Sequence, residues 1–305
     1  MWFSNLYFYR FTKPFELSAD ELDKRLEANI FSPCGSQDIA KFGWVNALGK
    51  YGQTLSHSAA GNLLLCAKRE EKILPTAVIN DMLAEKVEAI ELKESRPVKK
   101  KEKDTLKEDI IHQLLPRAFS KSSLLYGYIA PQHDLLVINS SSATKAEEFM
   151  AMLRKCVGTL PVVPVQPEQP LSIMMTDWLK SQNLPAGYEF GSDAELKSTD
   201  EEEAVVKYKQ QDLGSDEIQL HIEHNKLVTK LALLWHDNVN FMLADDFSLK
   251  RIKFTDLLKE QNEDIPKEDM ATKLDADFAL MSGEINMLLN ELIEITGAKE
   301  VDITA

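Results

Sequence analysis

The run Gly43-Trp44-Val45-Asn46-Ala47-Leu48-Gly49-Lys50 offers a first candidate for chemistry, because two glycines followed by a lysine are the frame of a phosphate-cradling loop. The frame fails twice: one residue too many separates the glycines, and Tyr51 stands where a magnesium-binding Ser or Thr is needed. A second candidate is His221-Ile222-Glu223-His224. Its two imidazoles could meet one metal ion on a helix, but the alternation of Ile218, Leu220 and Ile222 predicts a strand over Glu217 to Glu223. On a strand, residues three apart face opposite ways. Two acidic features have the residue types of a magnesium-dependent nuclease: Glu263-Asp264-Ile265-Pro266-Lys267-Glu268-Asp269, and the Glu-x-Lys spacing in Glu70-Glu71-Lys72. Surface acids of both kinds are expected anyway in a chain this negative. Neither a G-x-S-x-G elbow nor a G-x-G-x-x-G turn occurs. These stretches assign no catalytic residue, metal or cofactor, and the reading is of a protein that does no chemistry itself.

Basic clusters are the remaining candidates, since phosphate binding needs concentrated positive charge. Lys99, Lys100 and Lys101 open one cluster, with Lys103, Lys107, Arg117 and Lys121 behind it, and Lys250, Arg251 and Lys253 crowd a second. On a strand with period two, Arg251 and Lys253 share one face while Lys250 points to the other. The net charge of −14 opposes nucleic-acid binding unless these cations collect on one surface with the carboxylates elsewhere.

The elements that must position these residues follow from pattern. A hydrophobic fraction of 44% with 28% charged residues is that of a folded domain, and 305 residues suggest two or three modules. The sequence has no apolar run near the ~18 residues of a membrane span, so no membrane partner is expected. Three scattered cysteines, Cys34, Cys66 and Cys156, make no C-x-x-C pair and point to a reducing, cytoplasmic setting.

Trp2 to Phe11 reads as a strand, and Ser18 with Glu21 as a capping box opening a helix with Leu22, Leu26 and Ile30 on one stripe. Asn62 to Ala67 suits a buried strand. Ile79, Met82, Leu83, Val87 and Ile90 mark a helix after Pro75. The pair Thr105 and Glu108 predicts the start of a second helix, across a Pro-broken basic connector at Arg96 to Lys103. A hairpin over Leu124 to Ala130 and Leu135 to Asn139 follows, then a helix from Thr144, capped with Glu147. Leu160 to Pro170, with its prolines, reads as an edge strap. Leu227 to Trp235, Val239 to Ala244 and Leu249 to Phe254 predict a meander, and Gly283 to Ile295 a final amphipathic helix. Antiparallel hairpins with segregated helices give the α+β class.

Particular runs in this chain resemble those of the RdgC family of recombination-associated proteins. They include Phe31-Ser32-Pro33-Cys34-Gly35-Ser36-Gln37-Asp38, Leu114-Leu115-Pro116-Arg117-Ala118-Phe119-Ser120, Leu160-Pro161-Val162-Val163-Pro164, Val228-Thr229-Lys230-Leu231-Ala232-Leu233, Ser248-Leu249-Lys250-Arg251 and Asp275-Ala276-Asp277-Phe278. The resemblance implies antiparallel sheets with flanking helices and a projecting helical hairpin, forming half of a ring-shaped homodimer around double-stranded DNA, with single-stranded DNA a further ligand. It implies sequence-nonspecific binding, restriction of the RecA recombinase, and a cytoplasmic, nucleoid-associated protein. A scaffold acting directly on RecA and a magnesium-dependent nuclease are the alternatives.

On this reading residues 1–74 with 122–165 make a central sheet region, 75–121 the hairpin and one dimer contact, and 166–305 the remainder with the second contact. Phe119 takes the position of an interface aromatic. The expected DNA-contacting residues are Lys99, Lys100, Lys101, Arg117, Lys121, Lys209, Gln211, Lys230, Lys250, Arg251 and Lys253. Gln210 departs toward neutrality from a position where the family can carry a further lysine.

Overall fold

Leu135-Leu136-Val137-Ile138 is an unbroken apolar run, and a strand made of it needs cover on both faces. That requirement organises the structure. The computed structural model describes residues 1–200, 204–266 and 269–298. In chain order the elements are β1 (Leu6–Phe11), α1 (Ala19–Leu26), β2 (Ala40–Val45), β3 (Ser56–Ala59), β4 (Asn62–Lys72), α2 (Thr76–Glu94), α3 (Lys100–Leu114), β5 (Ser120–Ala130), β6 (Leu135–Asn139) and α4 (Ala143–Val157). There follow β7 (Val162–Pro164), α5 (Leu171–Ser181), β8 (Tyr188–Ser198), β9 (Val205–Tyr208), α6 (Asp216–Glu223), β10 (Lys226–Trp235), β11 (Val239–Ala244), β12 (Leu249–Phe254), α7 (Asp256–Glu260) and α8 (Met270–Ile295).

The chain divides into two compact units, one of residues 1–28, 46–66 and 126–305, the other of 29–45 and 67–125. In the first, the strands run β5-β6-β1-β12-β11-β10-β8-β9, with β7 on β1 and β3 on β4. The pairings are antiparallel, including Leu6 with Asn139 and Trp235 with Val239. Leu135 and Val137 of β6 join one large core with Phe278, Met281, Ile285, Leu288 and Leu289 of α8 and Met175 and Leu179 of α5. Leu136 and Ile138 alternate to the other face, where α1 and α4 pack together and bury Leu22, Leu26, Phe149 and Leu153. Gly127 leaves room there for Phe149, whose Cζ would lie 2.9 Å from any added Cβ.

A buried chain of hydrogen bonds sets the position of α8. The Tyr128 hydroxyl donates to Asn286 Oδ1 (2.8 Å), Asn286 Nδ2 donates to Asn62 Oδ1 (3.2 Å), and Asn62 Nδ2 donates to Ser282 Oγ (2.9 Å). Burial alone pushes the Tyr128 phenol well up, so it stays a donor.

In the second unit β2, β4 and β5 are neighbours in that order. Helices α2 and α3 pack on each other and bury Ile79, Val98 and Ile110. Their short connector is tied down by Arg96, which forks onto Glu102 (2.9 and 3.0 Å) and reaches Glu94 (2.6 Å), while Val98 N–H donates to Glu91 Oε1 (2.9 Å).

Several expectations are corrected. Glu217 to Glu223 belongs to helix α6, not a strand: Ile218 and Ile222 are buried while Leu220 is 53% exposed, and a spacing of four fits either period. Helix α3 starts at Lys100, so Thr105 is interior and its Oγ1 donates back to Lys101 O (3.2 Å) instead of capping. Ser142, not Thr144, is the N-cap of α4, and the Thr144 and Glu147 box does not form. Ile30 lies past the end of α1, bridged to Trp44. Helix α8 begins at Met270, capped by Asp269, and runs through Gly283, whose missing side chain faces open space. Ser18 and Glu21 do form the reciprocal box at α1.

Asn286→Ala strips partners from the buried Tyr128 hydroxyl and the Asn62 amide, and is expected to cost about 2–4 kcal/mol in urea unfolding. Ser18→Ala, at an exposed cap, is expected to cost only ~1 kcal/mol. Equal losses for the two variants would refute the assigned weight of the buried chain.

Candidate nucleic-acid interface

Six of the expected contact residues, Lys209, Gln211, Lys230, Lys250, Arg251 and Lys253, lie in the first unit on or beside the C-terminal strands. One face of these strands is core: Ala194 and Leu196 of β8, Leu231 and Leu233 of β10, Phe241 and Leu243 of β11, and Leu249, Ile252 and Phe254 of β12. Alternation sends Asp193, Glu195, Lys230, Asn240 and Met242 to the opposite face.

The expected split of Lys250 from Arg251 and Lys253 does not hold. The β11 to β12 register shifts between Asn240, opposite Lys253, and Met242, opposite Lys250, so β12 carries an extra residue there. Arg251 sits at that bulge with φ +51°, and the strand buries Leu249, Ile252 and Phe254 while leaving Lys250, Arg251 and Lys253 off the core. The bulge thereby places all three cations on one side.

Lys250 is held in place. Its Nζ lies 4.1 Å from the centre of the Tyr7 ring and donates to the Tyr7 hydroxyl (3.0 Å) and to Ser141 O (3.3 Å). The Tyr7 hydroxyl donates in turn to Asp246 Oδ2 (3.2 Å). Burial raises the Asp246 carboxyl, but bonds from Ser248, the Lys250 charge and Tyr7 outweigh it, leaving the group below the usual carboxylate range.

Between β12 and β9 a cavity of about 200 Å³ is lined by Lys207, Lys209, Lys230 and Arg251, with Asp193 and Glu195 among them. Glu195 is directly opposite Lys230 on β10 and Lys207 on β9, and pairs with both, at 2.8 and 3.2 Å. Arg251 Nη1 spans β11 and β10 to reach Asp193 Oδ2 (3.0 Å), and Asp193 Oδ1 accepts from Gln210 N–H (3.0 Å). Gln211 is fixed through its own N–H to Ser192 O (2.9 Å). Burial raises the Glu195 carboxyl, yet the two ammonium groups more than offset it, so it lies below its ordinary value and is charged at neutral pH.

The other expected residues belong to the second unit and fall into two groups. Lys99, Lys100 and Lys101 cap and begin α3, exposed, whereas Arg117 and Lys121 lie beyond its far end. Fifteen helical residues put the two groups roughly 20 Å apart. Phe119 is 83% exposed, its backbone oxygen accepting from Ile73 N–H (2.8 Å).

Lys207, Tyr7, Asp193 and Glu195 were not expected at this face. The alternation of Ala194, Leu196 and Ser198 with Glu195 and Lys197 marks β8 as a strand, and was the signal that could have found two of them. On α6, His221 Nδ1 pairs with Lys226 Nζ (2.8 Å) and His224 Nδ1 with Leu220 O (2.7 Å). Glu70 Oε2 accepts from Cys34 N–H (3.3 Å), and Lys267 and Glu268 of the acidic stretch lie outside the described residues. Among the described residues no group of three or more His, Cys, Asp or Glu side chains is arranged to hold a metal ion, and no helix is long and apolar enough to cross a membrane.

A family profile described as "Putative exonuclease, RdgC" matches residues 1–299. The chain belongs to the RdgC family. It is 53% identical over 303 residues to the recombination-associated protein RdgC of Aeromonas hydrophila, covering 99% of this chain and all of that protein. It is 54% identical over 297 residues to the protein of the same name from Pseudoalteromonas translucida, covering 97% and 98% of the two chains. With the RdgC relative from Tolumonas auensis it shares 50% over 302 residues. These relatives are named for recombination and not for an enzymatic reaction.

Because Arg251 has a left-handed backbone, its side chain and its conformation can be tested apart. Arg251→Gly is expected to leave the thermal midpoint unchanged or slightly raised, and Arg251→Val to cost about 1–2 kcal/mol, by calorimetry. A Val variant as stable as Gly would refute the bulge.

Proposed function

We propose that this chain binds double-stranded DNA without sequence preference, as a ring-shaped homodimer, and limits the access of RecA to the DNA it encloses. The observation that carries the reading is the gathering of Lys209, Lys230, Lys250, Arg251 and Lys253 on one solvent-facing side of the first unit. Cations so placed meet phosphates without reading base edges, which gives affinity without sequence information. The relatives' association with recombination, carried in their names, fits a protein that acts by occupying DNA.

In this mechanism no bond is made or broken. Lysine and arginine side chains release counterions from phosphates, and the enclosed duplex is denied to recombinase filaments. The second unit supplies one of the two dimer contacts, where exposed Phe119, flanked by Arg117 and Lys121, is the apolar anchor, and the C-terminal region supplies the other. Lys99, Lys100 and Lys101 are further phosphate-binding cations, carried by the second unit. The protein works in the cytoplasm, on the nucleoid, and single-stranded DNA is a further ligand.

Fluorescence anisotropy of two unrelated duplexes should give equal affinities and a log–log salt slope of about −0.9 per neutralised phosphate. Lys250→Glu with Lys253→Glu should weaken binding by roughly tenfold or more and flatten the slope by about 2. Strong discrimination between duplexes would refute the reading. If the double variant loses DNA but still inhibits RecA, the protein acts as a scaffold on RecA instead. The exonuclease in the family description is the remaining rival; nicks or end-shortening of DNA incubated with protein and magnesium would establish it.

A further inference from the structure

Two carboxylates stand where a binder of polyanions has least use for them. Asp193 and Glu195 are two residues apart on β8, hence on the same face, and they line the same cavity as Lys207, Lys209, Lys230 and Arg251. Glu195 takes two of those cations and Asp193 a third. Among the described residues no ion pair is formed by Lys209 or Lys253, and Lys250 is engaged by Tyr7 and Ser141 O. The cations of this face therefore divide into a set ready for phosphate and a set already neutralised from within.

Stability explains only part of the arrangement: the Glu195–Lys230 pair, at 18% and 37% exposure, helps to hold the Glu195 carboxyl below its ordinary value, which favours the folded state. The side chains of Lys207 and Arg251 are 62% and 60% exposed, and pairs at such exposure contribute little to folding. The strands beneath them are joined by backbone bonds that the carboxylates do not make. The carboxylates themselves are only 23% and 18% exposed, seated low between the cations, so a phosphate approaching from solvent meets the same guanidinium and ammonium groups from above. Carboxylate and phosphate oxygens then compete for the same donors.

Resting on the DNA-binding reading above, we propose that Asp193 and Glu195 are built-in competitors of backbone phosphate. They hold Lys207, Lys230 and Arg251 in place in the free protein and lower the affinity for DNA, so that the duplex is held loosely enough to exchange. A bound phosphate draws each cation away from its carboxylate, and the carboxylates set affinity without entering sequence selection.

The test is anisotropy of one duplex with D193N, E195Q and the double variant across a salt series, beside K250E/K253E and D256N, whose parent carboxylate is 94% exposed. Each cavity variant should tighten binding about threefold, the double variant about tenfold, and the salt slope should steepen by 1–2. D256N should change binding less than either. In a background of K207Q, K230Q and R251Q the gain from E195Q and D193N should vanish, because the competed cations are gone.

Unchanged or weaker binding overturns the proposal, as does a gain no larger than that of D256N or one that survives in the neutralised background. If E195Q lowers the melting temperature, D193N decides alone, since the asparagine oxygen still accepts from Gln210 N–H. Failure of the parent reading looks different: the unmodified protein then does not bind DNA, or binds it equally well after K250E/K253E.

Discussion

The long helix α8 can close its polar contacts with the sheet in only one register. Asn286 must meet both Tyr128 and Asn62, and Ser282 must meet Asn62, at buried positions where an unmade hydrogen bond would cost its full desolvation. Slipping the helix by one turn would strand these groups in the core. With α8 so placed, its apolar side covers one face of the C-terminal strands together with α5 and α6, and the other face carries Asp193, Glu195, Lys230 and Asn240 with Met242 among them. The candidate interface is the complement of the core: residues face outward at Lys230 and Glu195 because Leu231 and Ala194 face the shared core.

That division explains how a chain with a charge of −14 can present a basic surface. The distribution is local, with four cations around the cavity to two carboxylates. Helix α3 makes the opposite arrangement, with Lys100 and Lys101 in a first turn whose free N–H groups favour anions; Glu102, bound by Arg96, partly compensates. Cations at such a helix start are less favourable for folding than acids would be, which fits a surface kept for something other than stability.

Much of this was legible in the residues. The capping box at Ser18, the β5 to β6 turn with Asp134 at positive φ, and the three strands from Lys226 to Phe254 follow from spacing alone. What escaped did so for physical reasons. Ile218 and Ile222 satisfy both strand and helix periods, and only the exposure of Leu220 separates them. Thr105 and Glu108 have capping spacing inside a helix whose real start follows Pro97. Of the interface, the positions of the cations were readable but their partners were not. A bulge at a non-glycine residue leaves no mark in the sequence, so the side taken by Lys250 could not be inferred, and Asp193 meets Arg251 only across strands far apart in the chain.

The Arg251 to Asp193 pair joins β12 to β8, strands that share no hydrogen bond because β11 and β10 lie between them. Geometrically it is a chord laid over the two intervening strands. Within the span it crosses, β8 shifts register on β10 around Gly191, where an added Cβ would come within 2.8 Å of the Ala232 Cβ. The charge on this face thus links strands that the backbone ladder does not join directly, and whatever takes Arg251 from Asp193 leaves β12 and β8 connected only through the two strands between them.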